Sequence, residues 1–152
     1  MNLTKSEMQI ITALRKNARE SLTKISRKTG IPVSTIFDKI KENPLITKST
    51  CLLDFNQIGF NTRAKVTIRV ERETREELRK YLNNHQNVNS LYKINSGYDF
   101  LIELVFRNIK ELEDFMEKIR DKFKIIEDNV FYILEDIKRE DFMNDENMGI
   151  FA

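Results

Sequence analysis

Between Asn17 and Ile40 two short amphipathic patterns meet at a junction containing Gly30 and Pro32. Helices this short, turned this tightly, pack as the helix-turn-helix of DNA-binding proteins. The flanking signals agree. Thr4, with Glu7 three residues on, has the spacing of a capping box, and Met8, Ile11 and Leu14, beside Ile10 and Ala18, form the apolar stripe of a first helix. Ser21 caps a second helix, whose Leu22 and Ile25 face inward. Gly30 supplies the left-handed residue that ends it, and Pro32 fixes a helix-compatible φ where an N–H would have no partner anyway.

A third helix is therefore predicted from Pro32 or Val33. Ile36 and Ile40 lie four apart on its buried face with Val33 and Phe37 flanking, which leaves Ser34, Thr35, Asp38 and Lys41 outward as candidate base readers. Residues 1–60 hold 10 Lys/Arg against 5 Asp/Glu, a net +5, whereas residues 61–152 hold 16 against 19, a net −3. The positive half is the one with the helix-turn-helix, and Lys24, Arg27, Lys28, Lys39, Lys41 and Lys48 are the candidate phosphate contacts. Since +5 is modest, a dimer is expected to do the binding.

No apolar run approaches the roughly 18 to 20 residues that span a bilayer, and the N-terminus lacks a signal-peptide pattern. A cytoplasmic chain without a membrane partner is the expectation. Cys51 is the single cysteine, so no intrachain disulfide and no thiolate zinc cluster can form, and a buried or hairpin-facing structural thiol is expected ahead of a redox switch.

The period changes after residue 45. Residues 46–54 hold short β-prone stretches compatible with a small hairpin or wing, and 54–61 reads as a connector. Residues 62–71 then alternate, with Ala64, Val66, Ile68 and Val70 on one face and Arg63, Lys65, Thr67, Arg69 and Glu71 on the other, which predicts a half-buried strand. A helix over 73–84, strands over 88–94 and 100–106, a helix over 108–123 and a last strand within 125–137 follow. The order is βαββαβ. The predicted fold is α+β: an N-terminal winged helix-turn-helix domain (1–53), a connector (54–61), a ferredoxin-like domain (62–141) and a tail (142–152). Phe142, Met143, Ile150 and Phe151 give the tail a means of pinning to a neighbouring subunit.

The ferredoxin-like plan covers one sheet face with helices and leaves the other bare. On the third strand Leu101 and Val105 oppose Phe100, Ile102, Leu104 and Phe106, and on the last strand Phe131 and Ile133 oppose Val130, Tyr132 and Leu134. Contiguous apolar patches mark interfaces, so homodimerisation through Leu101, Val105, Phe131 and Ile133 is expected, an arrangement suited to two-fold related half-sites. Between the second and third strands lies Gly97-Tyr98-Asp99. Its plain role is a hairpin glycine with an aspartate capping the turn. The same groups suit a zwitterion, because a glycine turn lets a ligand approach backbone N–H groups and Asp99 offers a charge to an ammonium.

The chain resembles the Lrp/AsnC family of bacterial and archaeal transcription regulators over about residues 3–140. The matching residues are Asn17-Ala18-Arg19, the approach Ile25-Ser26-Arg27-Lys28-Thr29-Gly30-Ile31, Ser34-Thr35-Ile36 with Lys39-Ile40, Leu53-Asp54 with Ile58-Gly59, and Gly97-Tyr98-Asp99. Their order and spacing together make the match specific. The resemblance implies a C-terminal domain that dimerises, assembles dimers into octameric rings and senses amino acids. Two departures stand out. Pro32 replaces a usual capping Ser, and the segment from Ile40 to Asp54 is short, with Pro44 stopping the recognition helix early.

Two other classes compete with a DNA-binding regulator. One is a ligand-binding or assembly protein of the same fold that does not bind DNA, which the short recognition helix suggests. The other is an enzyme, because sirohaem decarboxylase, a family relative, builds a reaction site on a similar architecture. Such a site is expected to use a histidine tuned near neutral pH, and His85, the single histidine, follows a helical stripe where a helix-terminal surface role fits better. No Ser/His/Asp set, metal-ligand cluster or phosphate-binding glycine loop is legible, so neither catalysis nor a cofactor is expected.

Overall fold

The structure is a computed structural model that describes residues 3–144. They divide into two compact units: residues 3–52 with 137–144, and residues 53–136.

The first unit holds α1 (Lys5–Lys16), α2 (Leu22–Thr29) and α3 (Val33–Lys41). Each start and stop has a local cause. The capping box forms: Glu7 N–H donates to Thr4 Oγ1 at 3.3 Å while Thr4 N–H donates to the Glu7 carboxylate at 2.8 Å. Lys24 N–H donates to Ser21 Oγ at 3.2 Å, and α2 ends on Gly30 at φ 74°. Pro32 precedes α3, contributing no side-chain cap but a carbonyl that accepts from Ile36 N–H at 3.0 Å. Ile10, Ile25 and Ile36, one per helix, make the core, with Ala13, Leu14, Leu22, Ile31 and Ile40 against them. Residues 137–144 join this unit through Arg15, whose guanidinium donates to the carbonyls of Phe142 (2.9 Å) and Glu140 (2.8 Å). The remainder of the tail, with Ile150 and Phe151, lies outside the described residues.

Residues 46–54 form no strand, so the predicted hairpin is corrected here. Its β-prone residues lack a turn: residues 46–53 contain no Gly, Asn, Asp or Pro to reverse the chain between two strands. A short 3-10 turn (Phe55–Ile58) follows, capped by Asp54, whose carboxylate accepts from Asn56 N–H at 3.1 Å.

The second unit runs β1 (Thr62–Val70), α4 (Arg75–Asn84), β2 (Val88–Lys93), β3 (Phe100–Phe106), α5 (Ile109–Lys122) and β4 (Ile125–Tyr132). The antiparallel sheet has the order β2-β3-β1-β4. Val66 pairs with Ile102 on one side and Val130 on the other, which puts all three on one face. That face meets the helices. Ala64, Val66, Ile68, Ile102 and Leu104 are fully buried against Leu78 and Leu82 of α4 and Leu112, Met116 and Ile119 of α5. The last strand ends earlier than its apolar run, since Leu134 and Ile137 are exposed and have no strand to cover them.

Candidate nucleic-acid interface and ligand turn

The α2–Gly30–α3 unit presents Ser34, Asp38 and Lys41 to solvent and half-buries Thr35. Lys39 is placed differently from its expected role. Its ammonium lies 3.4 Å from Glu7 and ties α3 to α1. Lys24 and Lys28 bracket the largely buried Glu20 carboxylate at 2.7 and 3.7 Å, and the Lys24 hydrogen bond holds that carboxyl below its ordinary pKa. Both remain well exposed, so each can still turn towards a phosphate. Arg27, Lys41 and Lys48 form no ion pair with a described residue.

Sequence spacing placed Phe37 and Val33 beside the core. Phe37 is instead 54% exposed and Val33 42% exposed. Phe37 lies about 100° round the helix from Ile36, at the border between the core seam and the row of Ser34 and Lys41. That angle was the available signal, and it does not decide the side.

In the second unit the bare sheet face is less apolar than β3 and β4 suggest by themselves. Register places Val105 beside Arg63, Leu101 beside Thr67 and Phe131 beside Lys65, while Ile133 N–H donates to Arg63 O at 2.8 Å. The polar row of β1 therefore separates the two apolar pairs, correcting the expectation of one contiguous patch. Arg63 lies 3.4 Å from Glu103 and forks onto Asp136, and Arg69 pairs with Glu127 at 2.9 Å. Of the four expected interface residues, Val105 is buried within the chain, Leu101 and Ile133 are half-buried, and Phe131 is exposed.

Gly97 takes φ 83° with no atom near an added Cβ, so backbone conformation rather than space calls for glycine. Asp99 is already engaged. Its Oδ2 accepts from Val70 N–H at 2.9 Å, and its Oδ1 lies 2.8 Å from Arg75 Nε, a close ion pair whose N–H is not aligned for a hydrogen bond. It therefore braces the end of β1 against the start of α4, and its use as an open ammonium acceptor is not what the geometry shows. Tyr98 O–H donates to Glu127 at 2.8 Å and accepts from Asn129 Nδ2 at 2.9 Å, an arrangement that raises the phenol's pKa and lowers that of Glu127. Beside the turn an open concavity of about 610 Å³ is bordered by Arg69, Arg72 and Arg75 as well as Glu71 and Glu73. Arg72 makes no ion pair with a described residue and was missed by sequence reasoning, because its place next to the turn depends on the β1–α4 connection.

His85 ends α4. Its ring packs 4.7 Å from Phe115 and 5.6 Å from Tyr81, and Nδ1 accepts from Asn87 N–H at 3.2 Å. Burial, aided by the Lys118 charge, lowers its pKa and keeps it neutral, as suits packing. Among the described residues no group of three or more His, Cys, Asp or Glu is placed to hold a metal, Cys51 is exposed, and no helix is long and apolar enough to cross a membrane.

Residues 63–141 match the Lrp/AsnC ligand binding domain. The chain is similar to the uncharacterized HTH-type transcriptional regulator PH1692 of Pyrococcus horikoshii, 25% identical over 145 residues, covering 93% of this chain and 97% of the other. It is 28% identical over 116 residues to the HTH-type transcriptional regulator FL11 of Pyrococcus furiosus, covering 74% of this chain and 77% of that one. In fold it is similar to LrpC of B. subtilis, with TM-score 0.80 at 19% identity over 91% of this chain and 99% of that one. A Neisseria meningitidis transcriptional regulator in complex with L-Met superposes with TM-score 0.82 at 15% identity, covering 91% and 94%.

Proposed function

The chain belongs to the Lrp/AsnC family, and from that membership we propose a transcription regulator that binds duplex DNA in a sequence-specific manner as a homodimer. The observation that carries this reading is the recognition helix. α3 follows a left-handed Gly30 turn and holds Ser34, Asp38 and Lys41 outward, with Arg27 and Lys48 uncommitted to any described carboxylate. Serine and threonine hydroxyls and a lysine ammonium are suited to base edges, whereas Arg27, Lys24, Lys28 and Lys48 supply salt-dependent attraction to phosphates.

The sheet face of Leu101, Val105, Phe131 and Ile133 serves the dimer, with Lys65 of β1, exposed and in no ion pair with a described residue, finding its partner across the two-fold axis. Dimers assemble further into octamers, as the family resemblance implies. The concavity at Gly97 and Tyr98 takes an amino acid, whose carboxylate pairs with Arg72 at its border while Asp99 keeps the turn in shape. The bound L-Met of the Neisseria regulator supports this ligand class. The protein works in the cytoplasm and is not an enzyme; His85, the residue catalysis would need, packs between aromatic rings. A second reading, a ligand-binding assembly protein without DNA binding, draws on the early end of α3 at Lys41 and the absence of strands over 46–54.

A gel-shift titration with fragments of the source genome, the chain's own promoter included, separates the two. The regulator shifts some fragments well before others at moderate salt. No shift of any fragment would favour the assembly reading, and equal shifts of every fragment would show phosphate binding without sequence preference and overturn the specific regulator.

A further inference from the structure

On its outer side α3 leaves an apolar surface in water. Phe37 is 54% exposed and Val33, one turn earlier, 42%, whereas Ile36 between them is fully buried. A ring this exposed gives up about half of what a phenylalanine gains from burial, so its place here is not explained by the stability of the unit alone. Two side chains are far too small a patch for a stable protein interface, which takes on the order of 800 Å² from each partner. The neighbours on the helix are polar: Ser34 and Lys41 flank the ring and the exposed Asp38 follows it, while elsewhere in the unit Arg27 and Lys48, like Lys41, have no described carboxylate partner. A surface of that composition fits the major groove, where the base edges are polar except for one apolar group, the thymine methyl.

We propose that Phe37, backed by Val33, reads thymine methyl groups, so that each half-site carries a T·A pair at a fixed position under this part of α3. The inference rests on the DNA-binding reading above and adds a specificity-determining residue to it. Phe37 supplies apolar contact, and the neighbouring Ser34 and Lys41 supply the hydrogen bonds that fix register.

The test uses the full chain and a duplex it selects from a randomised pool. Single thymines of that duplex are replaced by uracil, which keeps every hydrogen bond and removes only the methyl. One thymine per half-site is expected to lose about fourfold in affinity when its methyl is removed, the worth of one buried methyl-sized group. Phe37→Ala should bind more weakly and show no further loss with uracil there, at an unchanged melting temperature, while Phe37→Leu should retain part of the discrimination. The uracil arm requires no protein variant. Affinity indifferent to uracil at every position, or an equal loss in Phe37→Ala, overturns the inference and leaves the regulator reading intact. A pool that yields no preferred duplex overturns both. A Phe37→Ala variant with altered particle mass in light scattering but unaltered DNA affinity assigns the ring to a protein contact and overturns it as well.

Discussion

His85 couples protonation to folding through a half-buried ring. In the folded chain burial and the Lys118 charge lower its pKa, so the unfolded chain, titrating near the ordinary value of about 6.5, takes up a proton first as pH falls. The stability it contributes is complete above that value and declines as pH drops through it towards the lower folded value. Melting temperature should hold level from about pH 8 to 7 and fall from 7 to 5, a fall that His85→Gln flattens. The carboxyls of the half-buried Glu7 and the exposed Glu127, also lowered, add their losses only in the more acidic range below the ordinary Glu value. Asp99 carries a different kind of weight. Asp99→Ala strands the Val70 N–H and removes the carboxylate beside the partly exposed Arg75, and a loss of about 1–3 kcal/mol in denaturant unfolding is expected whether or not an amino acid is present. A variant as stable as wild type would return the carboxylate to the role of a ligand group. On α3, Ser34→Ala should narrow the difference between preferred and random duplexes, whereas Lys48→Ala should weaken all duplexes alike and flatten the salt dependence.

Among the elements, the α2–α3 junction depends on one backbone conformation. Gly30 sits at φ 74° with open space where a Cβ would go, so Gly30→Ala meets no clash and costs only the left-handed strain, roughly 1–2 kcal/mol in melting experiments. Gly30→Asn should recover part of it, because asparagine tolerates that region. Signals of this local kind were legible in the sequence: the Thr4–Glu7 box, the Ser21 cap, Gly30 and the alternation of β1 each depend on residues a few positions apart. The order βαββαβ followed because the two long helices show period 3.6 and β1 period 2, while β2, β3 and β4 read as short apolar runs between turn signals. What the sequence left open is decided by distant chain. β3 and β4 each read as apolar on two sides, yet the face they share is interrupted by Arg63 and Lys65, a consequence of strand order that neither strand encodes. Phe37 stands on a boundary angle where the packing of α1 and α2, not helical period, sets exposure. Asp99 looked available because its partners Val70 and Arg75 reach it only once β1 and α4 are in place.

For the whole molecule, charge and symmetry act together. The N-terminal residues carry +5 and the remainder −3, a modest attraction to DNA that the proposed pairing of two copies would double. Phe131 tests the pairing of copies well, since it is 58% exposed in the single chain and its replacement leaves the helix-facing core untouched. Light scattering should report twice or a larger multiple of 18.1 kDa for wild type, and a shift towards the single-chain mass for Phe131→Glu with unchanged far-UV circular dichroism. Ile133→Lys should act likewise, placing a cation beside Arg63. On the function proposed above, a dimer of this chain discriminates among duplexes through α3. Competition binding between a duplex selected from a random pool and unselected duplex, at fixed salt near physiological strength, tests it most directly. A dimer reading through α3 should prefer, by about 10³-fold or more, a pseudo-palindromic site with half-sites about one helical turn, or a multiple of it, apart. Equal affinity for selected and unselected duplex, varying only with salt, would contradict it.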